Sequence, residues 1–168
     1  MAQAEWLEKQ KQRILETGYF HVVFTLPSEL RSLGRCAPSV IYDLLFRAAS
    51  DTLLTLGRDA KRLGGLLGLT AVLHTWKRDL HFHPHLHCIV TGGALGAAPD
   101  GRTKWTDAGR DSLFPVKVLE RSLIPRGKFV AGLERSHARG ELTLPEALQA
   151  PGAFSAVLGK VGFVERGG

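Results

Sequence analysis

An α+β fold, with helices packed on an antiparallel sheet, follows from three features of the sequence. An aromatic and β-branched run opens the body of the chain, and an amphipathic helical pattern follows it. Two further strand-like runs then come close together, which points to an antiparallel pair. The 168 residues fit one domain, and 44% apolar against 23% charged residues is material for a core.

Residues 1–18 read as an N-terminal helix. Positions 4–17 are largely charged, with Trp6, Leu7, Ile14 and Leu15 the large apolar exceptions, and Gly18 stops the helix. Tyr19 to Leu26 form the first strand, ended by Pro27. Phe20, Val22, Phe24 and Leu26 share one face, and Tyr19, His21, Val23 and Thr25 the other. From Pro38, suited to a first helical turn, Ile41, Leu44, Leu45, Ala48, Thr52, Leu53 and Leu56 recur at helical spacing to about Arg62, before Gly64-Gly65. Leu69 to Trp76 is a second strand, with Trp76 expected in the core. His85 to Ala94 is a third, with Gly92-Gly93 turning the chain at its end. Residues 96–112 read as a loop. A helical pattern from Pro115 (Val116, Leu119, Leu123) breaks at Pro125 and resumes with Phe129 and Leu133, and the last dozen residues end without a fold of their own.

Composition narrows the function. Lys and Arg number 22 against 16 acids, a net charge of +6, which suits a polyanionic partner. Residues 99–140 hold nine Lys or Arg and five acids, so the excess concentrates there. Cys36 and Cys88 stand far apart, which excludes a disulfide framework and a cysteine-based zinc site. The N-terminus has no basic segment leading into an apolar one, and no run of about 18 apolar residues exists. A cytoplasmic protein without a membrane span is the expectation.

Five of the seven histidines fall between residues 74 and 87: His74, His81, His83, His85 and His87. Strand alternation puts His85 and His87 on one face, with Leu86, Cys88 and Val90 turned to the core. Two imidazoles side by side on a strand form half of a metal site, since both can turn a nitrogen to one point. Candidates for a third ligand are His74, His81 and Asp79, with His83 also near. His74 is the geometrically attractive one, mid-strand on an antiparallel partner. A solvent-facing histidine row without a ligand is the competing reading. Other H-x-H scaffolds fit poorly: a metallo-β-lactamase needs H-x-H-x-D-H where Ile89 and Val90 stand, and a cupin needs Glu where Thr91 and Gly92 stand.

Three blocks now carry a resemblance: Tyr19-Phe20-His21-Val22-Val23-Phe24-Thr25-Leu26-Pro27, Ala71-Val72-Leu73-His74-Thr75-Trp76, and His83-Pro84-His85-Leu86-His87-Cys88-Ile89-Val90-Thr91-Gly92-Gly93. In order and spacing they resemble the rolling-circle transposases of insertion-sequence family ninety-one, members of the HUH nuclease superfamily. The resemblance implies an HUH-type ferredoxin- or RRM-like palm over residues 19–148. His85 and His87 would hold Mg²⁺ or Mn²⁺ with one further ligand. It also implies single-stranded DNA at transposon ends as partner. A tyrosine there attacks a phosphodiester that the metal polarises, leaving a 5′-phosphotyrosine and a free 3′-hydroxyl.

The chain departs from the family at both ends. The cysteine-rich segment expected before the first strand has no counterpart, and residues 149–168 read as a tail unlike the family. The chain's two tyrosines, Tyr19 and Tyr42, both precede the histidine strand, where packing explains them, whereas the family's nucleophile follows it. The expectation is therefore a transposase truncated at both ends, keeping the metal half of its site and inactive in strand cleavage by itself. A catalytically inert DNA-binding remnant is one alternative, and a small histidine-cluster metal-binding protein or hydrolase is the other. Lys77, Arg78, Arg126 and Lys128, with Arg121 near them, are the candidate phosphate contacts. Trp76 and Trp105 are the aromatic residues that could stack on unpaired bases.

Overall fold

The structure, a computed structural model, describes residues 2–12, 14–109, 113–114 and 124–161. Its longest strand, β3 (Phe82–Ala97), forms the middle of a four-stranded antiparallel sheet. Strand β2 (Leu66–Trp76) pairs along one edge of β3, with His74 opposite His85 and Val72 opposite His87. Strand β1 (Tyr19–Thr25) pairs along the other edge, with Val23 opposite His87 and Thr25 opposite His85. Beyond β1, strand β4 (Thr103–Asp107) continues that edge against Gly93–Ala97.

One face of the sheet is buried. Leu86, Cys88 and Val90 of β3 join Leu26 and the inward residues of helix α3 (Pro38–Arg58) in one core. Pro38 sits in the first turn of α3, and Ile41, Leu45, Ala48, Thr52, Leu53 and Leu56 recur on its buried side at intervals of three and four. The buried hydroxyl of Thr52 donates to the Ala48 carbonyl at 2.6 Å, which satisfies it inside the helix. Helix α1 (Ala2–Lys11) and a short α2 (Arg31–Cys36) precede α3. Helix α4 (Ile124–Ala138) packs on α3, placing Phe129 and Leu133 in the core.

Several expectations are corrected by this arrangement. The first helix ends at Lys11 rather than at 17, because Ile14 and Leu15 have no core to pack against and stay exposed. Residues 96–112 are no simple loop: Thr-Lys-Trp-Thr-Asp forms β4, hairpinned onto β3 through the turn at Ala98–Gly101. Gly92-Gly93 do not end the third strand, which runs on to Ala97. They let other backbone approach. A Cβ on Gly92 would lie 2.7 Å from the Gly18 carbonyl oxygen, and one on Gly93 2.6 Å from Thr106 O and the Trp105 ring. That contact makes Trp105 a packing residue, and its ring N–H donates to Asp107. Trp76 is 58% exposed rather than in the core, because it ends a strand on the outward face. The final stretch also has structure: helix α5 (Ala153–Lys160) buries Phe154 and Leu158, and Val161 after it is buried too. The pattern at Val116, Leu119 and Leu123, and Arg121 with it, lies outside the described residues. Among the described residues no helix is long and apolar enough to cross a membrane.

Candidate metal centre

The outward face of the sheet carries the histidines. Because β3 alternates, His85 and His87 point away from Leu86 and Cys88, and antiparallel register sets His74 of β2 beside them. His74, His85 and His87 each offer a ligand atom, and these atoms lie within 4.8 Å of one another. Their ring centroids are 4.3 to 5.4 Å apart. Three imidazoles converging on one point are a fitting donor set for a divalent transition metal.

Hydrogen bonds fix which nitrogen each strand histidine presents. Nδ1 of His85 donates to the His83 carbonyl at 2.6 Å, so Nε2 is left to face outward. Nδ1 of His87 lies 2.6 Å from Nε2 of His21, which leaves His87 Nε2 for the same use. Burial first, then the charges of His74, His85 and His21, hold the His87 imidazole below its ordinary range. It is therefore neutral, and able to act as a ligand, at neutral pH. His83 is buried and bonded through Nδ1 to the Arg31 guanidinium at 2.9 Å; it lies beside His85 and lines the adjoining cavity, but is not one of the three histidines whose ligand atoms converge.

Of the three candidate third ligands, the geometry gathers His74. His81 and Asp79 pair with each other instead, at 3.1 Å, on the exposed loop between β2 and β3. There the His81 backbone N–H, above all, holds the Asp79 carboxyl below its usual range. Lys77 and Arg78 do adjoin the centre. With Asp79, His74, His83, His85, Trp76 and Thr25 they line a cavity of about 590 Å³, so Asp79 borders the centre although its carboxylate is paired with His81. Lys128 does not: it is bonded to Asp51 at 3.2 Å in the helical layer behind the sheet. The side chain of Arg126 lies outside the described residues.

Neither tyrosine stands at the centre. Tyr19 is at the far end of β1, four residues from Val23, or roughly 13 Å along an extended strand. Its hydroxyl meets the Leu15 backbone N–H at 2.8 Å rather than packing in the core. Tyr42 belongs to α3, and partial burial raises its hydroxyl pKa. His21 was not among the site residues read from the sequence. Its only signal there is that it shares the Val23–Thr25 face of β1.

The profile of a family described as "Putative transposase" matches residues 68–164, more than half of the chain and through α5. A curated "Putative transposase y4qJ" of Sinorhizobium fredii is 43% identical over 150 residues, covering 89% of this chain and 36% of its own length. A "Transposase for insertion sequence element IS801" of Pseudomonas savastanoi pv. phaseolicola is 40% identical over 91 residues, covering 54% of this chain and 21% of its own length. The chain thus spans about a third or less of these curated relatives. A solved structure of TrwC complexed with a 27-mer DNA aligns at a TM-score of 0.48 and 13% identity, over 86% of this chain and 67% of that one. With 43% identity across nearly its whole length and the family profile over its histidine strand, the chain belongs to the transposases, in the rolling-circle group of insertion-sequence family ninety-one.

Proposed function

We propose that this chain supplies the metal-holding half of a single-strand DNA nuclease and strand transferase, with His74, His85 and His87 as the metal ligands. The observation that carries the reading is the convergence of three imidazoles beside a cavity lined by Lys77, Arg78 and Trp76. A divalent ion there supplies Lewis acidity to a phosphoryl oxygen. Three imidazoles without a carboxylate suit Mn²⁺ better than Mg²⁺, which prefers oxygen ligands.

The chain's own residues do the rest. Lys77 and Arg78 offset phosphate charge along the cavity, and the exposed Trp76 ring takes an unpaired base by stacking. A duplex presents no free base face to that ring, so single strands bind preferentially. In the whole enzyme a tyrosine oxygen forms a bond to phosphorus, the P–O3′ bond breaks, and the 3′ oxygen leaves as a hydroxyl. Tyr19 and Tyr42 are not placed for that attack, so this chain alone binds DNA of the transposon ends without cutting it.

Incubation of the chain with Mn²⁺ and a labelled single strand tests this. Retention of the strand in preference to duplex, with no adduct surviving denaturation, is the expected result. A covalent adduct contradicts the inert reading. Tight Zn²⁺ or Ni²⁺ binding without preference for single strands favours a small metal-binding protein instead.

A further inference from the structure

The hydrogen bond between His21 and His87 joins residues 66 positions apart in sequence, from β1 to β3. The rings are nearly parallel, 6° between planes, with centroids 4.9 Å apart. Nε2 of His21 and Nδ1 of His87 are 2.6 Å apart, short for a hydrogen bond between two nitrogens. One proton must lie between them, on one ring or the other. His21 falls outside the group of three whose ligand atoms converge.

We infer that His21 is a positioning residue for the metal centre: it accepts a hydrogen bond from Nδ1–H of His87 and so holds His87 in the tautomer that offers Nε2 to the ion. The inference rests on the reading of His74, His85 and His87 as ligands. His85 shows the same arrangement with a different acceptor, because its Nδ1 donates to the His83 carbonyl. Both strand histidines then carry their proton on Nδ1 and turn Nε2 outward. A backbone carbonyl is available to His85 where the strand begins. His87, deeper in the sheet between two paired strands, draws its acceptor from a neighbouring side chain instead. An accepting imidazole also fixes the rotation of the His87 ring, which a bulky apolar neighbour could do only by packing.

Two variants separate hydrogen bonding from bulk. His21→Phe keeps a ring of similar size and removes the acceptor, while His21→Gln restores an acceptor oxygen at comparable reach. Mn²⁺ affinity, followed by electron paramagnetic resonance of the free ion, should fall about 10- to 100-fold in His21→Phe and return to within a few-fold of the original in His21→Gln. Thermal melts of the metal-free proteins check that all three fold alike. Ring ¹H–¹⁵N spectra of the metal-free native chain give an independent readout, with His87 as the Nδ1–H tautomer. Unchanged Mn²⁺ affinity in His21→Phe overturns the inference, as does a native His87 protonated on Nε2. Failure of His21→Gln to recover any affinity also overturns it, by making His21 a ligand in its own right. If the native chain binds no Mn²⁺ at all, the ligand reading falls, and this inference with it.

Discussion

Leu86, Cys88 and Val90 on one face of β3 are wholly buried, whereas His85, His87 and Ile89, alternating with them, look outward, Ile89 with 43% of its surface exposed. The inward face packs on α3 and makes the fold; burial there pushes the Cys88 thiol up to about 11, leaving it inert. The outward face keeps groups that cost stability to expose, Val72, Ile89 and Trp76 among them, around three converging imidazoles. Alternation along one strand therefore separates the residues that stabilise the chain from those proposed to hold the metal, and on that proposal each face can be altered with little effect on the other.

The largest expected effect on stability comes from the inward face. Leu86→Ala removes a fully buried side chain between the two histidines and should cost about 2 to 5 kcal/mol in denaturant unfolding. Folded molecules of that variant should still bind Mn²⁺. His85→Ala should do the reverse: metal affinity falls by more than about 100-fold, beyond the loss from removing a supporting residue, while the melting temperature of the metal-free protein stays within a few degrees. If Leu86→Ala abolished metal binding in fully folded protein, the separation of the two faces would fail.

That separation was legible in the sequence because it depends on period alone. The alternation around Leu86 needs no tertiary information, and His74 was within reach because β2 and β3 are neighbours in sequence. His21 was not, since its partner depends on β1 pairing with β3 across 66 positions, and nothing local fixes that register. Strand β4 was hidden by its Gly- and Asp-rich surroundings, although Thr103, Trp105 and Thr106 are good strand formers. Trp76 was misplaced because an aromatic residue in an apolar run reads as core unless the covering layer is known to end. Helix α5 is eight residues long behind Pro151-Gly152, too short for its period to stand out.

A smaller effect follows from pH. His87 titrates below its ordinary range when folded, so the unfolded chain binds a proton that the folded chain refuses. Metal-free stability is then full above about pH 6.5 and declines as pH falls from there towards the folded value. Unfolding curves between pH 5 and 8 should show this slope, and His87→Ala should flatten it. The smallest effect concerns the loop beside the cavity, where Leu80 holds a left-handed backbone, φ 62°, and is 78% exposed. Leu80→Asn should raise stability by up to about 1 kcal/mol, since asparagine tolerates that conformation better. An unchanged or lower melting temperature would show that the loop stores no such strain.

The measurement that bears most directly on the account is a crystal structure of the chain grown with Mn²⁺, with anomalous scattering used to locate the ion. The account predicts one ion bound by His74, His85 and His87 on the open face, with Lys77 and Arg78 at the mouth of the adjoining cavity. An ion held by His81 and Asp79 instead, or no ion near the histidines at saturating Mn²⁺, would contradict it.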